Sequence, residues 1–192
     1  MESIEAIDRD IGERVRALRG ARGLTLDELA AQSGVSRAML SRVERGESSP
    51  TAQLLNRICG GLGVTLSALL AAAEKPASPL RRRAEQATWR DPESGYRRRA
   101  VSPPGVGTLA EIIEVEFPAG ARVAFAPQHF EEIDQQIVVL RGAMEIGVGE
   151  ARHRLSAGDC LAMRFGEPIV FRNPGKSAAR YLVVIGRGRS GA

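Results

Sequence analysis

In the run SRAMLSRVERG, which begins at Ser36, Leu40 and Val43 stand three residues apart and mark the buried side of a short helix. Ser36, Arg37, Ala38, Ser41 and Arg42 are left on the other side. Those residue types have a defined chemistry at the edge of a base pair. Arginine offers two donors to the O6 and N7 acceptors of guanine, serine bonds to either kind of base, and alanine accepts a thymine methyl. At the N-terminal turns of an exposed helix, such side chains read sequence in the major groove of double-stranded DNA. Thr25 and Ser36 also have the character of helix N-caps, and a further helix starts after Ser49. Helix starts of this kind turn backbone N–H groups toward phosphate.

A reading helix needs others to hold it, and the preceding sequence supplies them. Ile11, Val15 and Leu18 form an apolar stripe, with Asp10 and Glu13 spaced as a capping box at its start and Gly23 at its end. Thr25 and Glu28 form a second box, opening a helix that turns Leu26, Leu29 and Ala30 inward and closes at Ser33 and Gly34. After the helix capped by Ser36 and stopped by Gly46, Ser49 and Pro50 have the pattern of an N-cap followed by an N1 proline. Leu54, Leu55, Ile58 and Leu62 follow, with Gly60 and Gly61 weakening that helix, and a last short helix follows Thr65. Two short helices joined by a glycine turn, the second polar outside, make a helix-turn-helix.

The chain has 192 residues, is 43% hydrophobic and 26% charged, and carries a net charge of +4. Its charges balance over 1–75 and again over 101–192. The excess falls in 76–100, where Arg81, Arg82, Arg83, Arg97, Arg98 and Arg99 outweigh Glu85, Asp91 and Glu93. Bulk basicity therefore says nothing about DNA here, and the helical motif carries that expectation. The sequence shows no apolar run of membrane-spanning length and no signal peptide, so the expected location is the cytoplasm, with no membrane partner. Cys59 and Cys160 stand far apart without a CxxC or Cys/His cluster, which argues for reduced thiols rather than a disulfide framework or a zinc site.

The expected domains are a helical one at 1–72, a linker rich in proline and arginine at 73–87, and a β-domain at 88–192. In the last, the period changes to two. Leu109, Ile113, Val115 and Phe117 share one face while Glu114 and Glu116 point the other way, and Met144, Ile146 and Val148 alternate. Further strands are expected at 121–125, 137–140, 160–164, 169–172 and 180–185, separated by turn signals, the pattern of an antiparallel sandwich or barrel.

From about Ile11 to Leu70 the chain resembles the Cro/C1-type (XRE) helix-turn-helix family, through IGERVRALRGARGLTLDELA, AQSGVSRAMLSRVERGESSP and LNRICGGLGVTLSALL. The resemblance implies base-reading positions at Arg37, Ala38 and Arg42. Leu26 stands where some phage repressors read a base with glutamine, and leucine cannot form that hydrogen bond. Arg19 is implied to pair with Glu44 and so fix the angle of the reading helix.

From about Gly120 to Ile185 the chain resembles the second half of the cupin fold, through PAGARVAF, VVLRG, LSAGD and PIVFRNPG. The whole is then α+β and two-domain: a five-helix module followed by a double-stranded β-helix barrel. Cupin enzymes hold a metal with two histidines, a glutamate and a later histidine. This chain places His129, Glu131, Gln135 and Ile169 at those positions. Isoleucine cannot ligate and glutamine is a weak neutral donor, so no metal and no cofactor is expected. His153, beside Arg152 and Arg154 in a hairpin strand, belongs to a solvated face.

The residues left at the barrel mouth are polar (His129, Glu131, Gln135) among apolar walls (Met144, Met163, Ile169), a composition suited to a small-molecule effector. A barrel filled with its own side chains and used for pairing fits the same residues. The expected protein is a sequence-specific, homodimeric regulator acting on a palindromic operator. A metal-dependent cupin enzyme with an accessory DNA-binding head and an antitoxin are the other readings.

Overall fold

In the computed structural model, residues 4–70, 78–128, 130 and 133–187 are described. The chain divides into two compact units, Met1–Leu70 with Asp91–Glu93, and Ala71–Arg90 with Ser94–Ala192.

The first unit contains α1 (Ile4–Ala21), α2 (Leu26–Ser33), α3 (Arg37–Glu44), α4 (Ala52–Leu62) and α5 (Leu66–Leu70). Val15, Leu29, Leu40, Leu55, Ile58 and Leu69 are fully buried among them. Each such side chain contributes about 1.5–3 kcal/mol through the water it no longer orders. Thr25 caps α2 in a complete box with Glu28, and Gly34, at φ 63°, closes that helix in the left-handed conformation. The Ser36 hydroxyl accepts from Met39 N–H and opens α3. Thr65 caps α5 through Ala68 N–H.

Two helix starts differ from the sequence expectation. The Asp10 and Glu13 pair lies inside α1, which begins at Ile4, because Ile7 extends the apolar stripe backward by one turn. The cap of α4 is Thr51, whose hydroxyl accepts from Leu54 N–H. Ser49 instead donates to the Asp8 carboxylate on α1. Leu18, Leu26 and Ala30, expected inside, are only half-buried.

The second unit is built from two antiparallel sheets. One has six strands in the order β1 (Thr88–Arg90), β2 (Arg97–Ala100), β3 (Ala110–Phe117), β10 (Ala179–Arg187), β5 (Ile133–Arg141) and β8 (Cys160–Arg164). The other has four, in the order β4 (Arg122–Phe125), β9 (Ile169–Arg172), β6 (Ala143–Val148) and β7 (Ala151–Ser156). Alternate residues face a shared interior, where Phe171 of the smaller sheet stacks on Tyr181 of the larger at 6.0 Å between centroids. The non-sequential strand orders are those of a double-stranded β-helix.

The stretch expected as a linker is structured where it is described. A 3₁₀ turn spans Arg83–Glu85, and Arg81 Nη1 donates to Ser102 O at 3.0 Å within the second unit. Strands β1 and β2 lie where the sequence pattern predicts none. The outward Arg97 and Arg99 meet Glu116 and Glu114 across the β2–β3 ladder, each at 2.6 Å, so a charged sequence is accommodated in a strand. Leu109 precedes β3 and is exposed instead of sharing its buried face. Among the described residues, no helix is long and apolar enough to cross a membrane.

Candidate nucleic-acid interface and barrel site

Helix α3 is anchored from beneath and open above. Leu40 and Val43 are 0% and 1% exposed, whereas Ser36, Arg37, Ala38 and Arg42 are exposed. The expected division of the helix is therefore present. Arg37 Nε lies 3.2 Å from Asp27 Oδ1 on α2, with both side chains well over half exposed. A pair in that setting is worth at most about 1 kcal/mol, so Arg37 exchanges it readily for another partner. The Ser41 hydroxyl is half-buried and accepts from Arg45 Nη1, while Arg45 also forms a two-pronged pair with Glu47 at 2.6 and 2.7 Å. Arg45, which follows α3 directly, carries no signal of this role in the sequence. Only the folded arrangement reveals that it takes the serine.

The angle of α3 is fixed at its far end. Arg19 donates to both Glu44 oxygens at 2.6 and 2.8 Å, and through Nη1 to Leu24 O at 2.8 Å. Glu44 is 7% exposed and Arg19 18%. Hydrogen bonding to Glu44 raises the Arg19 pKa above its ordinary value, against desolvation by burial. Gly12 lies under the same end of α3: a Cβ there would meet Val43 O at 2.3 Å. Only a hydrogen side chain lets the two helices approach this closely.

The three helix starts differ in what they offer an anion. The first turn of α2 carries Asp27 and Glu28, and the Thr25 hydroxyl and N–H are both committed to the Glu28 carboxylate at 2.7 Å. At α4, Asp91 Oδ1 already accepts from Ala52 N–H at 2.9 Å. The helix start after Ser49 thus carries an acid where phosphate was expected. The first turn of α3 has no acidic residue, and its cap is the neutral Ser36 hydroxyl. Its helix dipole favours an anion.

In the second unit, Gln135 and Met163 are direct cross-strand neighbours on β5 and β8, and both are buried. Ile169 is buried at the start of β9. Since β4 runs into β5 and β8 into β9, all three stand at the same end of the barrel. Met144 does not join them; it is 1% exposed near the opposite end of β6 and fills the core. His129 and Glu131 lie outside the described residues. His153 is half-buried on β7, beside the exposed Arg152 and Arg154.

The helix-turn-helix family model matches residues 15–69 and the cupin domain model residues 113–185. The chain is similar to the HTH-type transcriptional regulator SutR of Escherichia coli K12, with 25% identity over 97% of this chain and all of that one. It is also similar to the crystal structure of an HTH_3 family transcriptional regulator from Vibrio cholerae. That similarity has a TM-score of 0.79 and 28% identity, covering 97% of this chain and all of that one. The helical part alone is 35% identical over 60 residues to the immunity repressor protein of Bacillus phage phi105. Those residues are 31% of this chain and 42% of the repressor. Two domain models therefore describe the chain, a helix-turn-helix on its N-terminal side and a cupin domain on its C-terminal side, and proteins similar to it over nearly their whole length are named transcriptional regulators.

Of the four positions that the cupin resemblance assigns to metal ligands, the two that lie among the described residues do not fit a transition-metal ion. Gln135 brings a neutral amide and Ile169 a hydrocarbon. A different polar residue occupies the barrel instead. Glu111 on β3 has the same parity as the buried Ile113, Val115 and Phe117, and its Oε2 is shielded from solvent without a hydrogen-bond partner among the described residues. A buried acceptor left so costs about 1–3 kcal/mol. The sequence pattern that set Glu114 and Glu116 outward also set Glu111 inward, so its parity was the available signal.

Proposed function

We propose that α3 enters the major groove and reads an operator through Arg37, Ala38 and Arg42. In this reading Ser36 and the first turn of α3 rest on phosphate, while Thr25 and Ser41 position the helices. The observation that carries the proposal is the two-sided character of α3: a fully buried apolar side, locked by Arg19 and Glu44, beneath an exposed cationic side. A rigid helix loses little freedom on docking and presents its arginines at fixed spacing. The similarity to proteins named transcriptional regulators and an immunity repressor supports the same reading.

A homodimer on a palindromic site follows from the few bases one short helix can read. The large exposed apolar side chains among the described residues, Leu80, Leu109, Ile112 and Leu140, all belong to the second unit. This supports pairing through the barrel domain. That domain senses a small molecule and adjusts the paired heads; it does not catalyse, and the protein works in the cytoplasm. The test is selection of bound sites from a random duplex library, followed by titration of the recovered sequence. Recovery of a palindrome whose half-sites change with Arg37→Lys or Arg42→Lys supports the assignment. Recovery of no sequence preference removes it.

A further inference from the structure

The strand register aligns four inward side chains in one row: Glu111 on β3, Ile185 on β10, Gln135 on β5 and Met163 on β8. The row lies at the barrel end where β4 finishes with Phe125 and β9 begins with Ile169. Among the described residues Glu111 Oε2 has no hydrogen-bond partner, and Gln135 is 7% exposed. Glu111 and Gln135 are separated by two strand spacings, about 10 Å between backbones, with Ile185 between them. Their long side chains can converge over it.

We propose that this end of the barrel binds a small organic cation, whose ammonium group donates to the Glu111 carboxylate and the Gln135 amide oxygen. Its hydrocarbon body lies against Met163, Ile169 and Ile185. The inference rests on the sensing role proposed above and names the ligand class. The donor balance selects that class. Glu111 supplies acceptor oxygens and a negative charge, Gln135 adds an amide oxygen beside its own N–H donors, and an ammonium brings three N–H donors and a positive charge. A carboxylate ligand would place like charges together. A divalent metal ion needs more oxygen ligands than the one carboxyl and one amide that the described residues of this row provide.

The experiment uses the full chain with methyl-labelled isoleucine and methionine, titrated with n-butylamine, n-butanol, butyrate and Zn²⁺ at matched ionic strength. The expected result is that the amine alone moves the Met163, Ile169 and Ile185 methyl resonances. Glu111→Gln should weaken its binding by about tenfold or more, and Gln135→Leu should also weaken it. Circular dichroism checks that both variants are folded. An amine response equal in wild type and Glu111→Gln overturns the proposal. A response to butyrate, to n-butanol or to Zn²⁺ in place of the amine overturns the cationic class and leaves a sensing barrel. If none of these compounds moves a resonance, both this proposal and the sensing role fail, while operator binding remains to be judged by site selection.

Discussion

Arg19 on α1 and Glu44 at the last turn of α3 form a two-pronged ion pair, 2.6 and 2.8 Å long, that ties the reading helix to the first helix by charge. Removing either partner strands the other where little solvent reaches it. Arg19→Ala or Glu44→Ala should cost about 3 kcal/mol of folding stability. Arg19→Lys should recover only part of that, because an ammonium cannot make the parallel bonds of a guanidinium. Urea melts of the three variants check the order. If the lysine variant matches wild type, the planar geometry is irrelevant.

The same substitution should act with opposite sign at two glycines of α1. At Gly20 an added Cβ would meet nothing within 4 Å, so Gly20→Ala gains helix propensity and should stabilise by about 1 kcal/mol. At Gly12 the new methyl would press on Val43 O at 2.3 Å, and backbone cannot step aside. Gly12→Ala should therefore destabilise despite the same propensity gain, and should also weaken operator binding by tilting α3. Thermal melts separate the two. A stabilised Gly12→Ala would mean that the helices do not cross so closely.

For DNA, Arg37→Ala and Arg42→Ala should each cost about 1–3 kcal/mol on the selected site, with loss of preference at one base pair per half-site. Asp27→Asn releases Arg37 from an exposed pair and should leave stability unchanged within about 1 kcal/mol. Arg45→Ala should alter affinity little, since that guanidinium is already committed to Ser41 and Glu47. Binding titrations at several salt concentrations read the three arginine variants, and a urea melt reads Asp27→Asn. Equal losses across unrelated sequences would assign Arg37 and Arg42 to phosphate rather than to bases.

The helical domain was legible because its information is local. Caps at Thr25 and Ser36, the stop at Gly34, and the Leu40/Val43 spacing each specify their own turn of chain. The start of α4 was misplaced by two residues because Ser49, Pro50 and Thr51 all suit a helix start, and only the Ser49–Asp8 bond decides among them. The strands β1 and β2 were illegible for a different reason. Arg97, Arg98 and Arg99 show no apolar alternation, and only in the fold do Glu114 and Glu116 on β3 pair with two of them. In the barrel, alternation alone could have marked Glu111. The cupin ligand positions single out Gln135 and Ile169, and the inward glutamate lies outside that pattern.

Acid should loosen the sheet through Glu114. Partial burial pushes its carboxyl up, but the Arg99 hydrogen bond and charge, with Arg180 and Arg83 beyond, outweigh this and hold it below the ordinary carboxylate range. A pKa lowered in the folded state means that the unfolded chain binds the proton first as pH falls. The stabilisation is complete above the unfolded value of about 4.3 and is lost as pH drops through the folded one. Glu114→Gln should therefore lower stability at neutral pH and flatten the loss of stability on acidification below about pH 4. Arg99→Ala should do the same, because it removes the strongest attraction that holds the carboxylate ionised. Urea melts of wild type and both variants across that acid range measure the slopes. Parallel slopes would place the acid sensitivity elsewhere, with the Glu28 carboxylate, lowered by its bonds from Thr25, as the next group to examine.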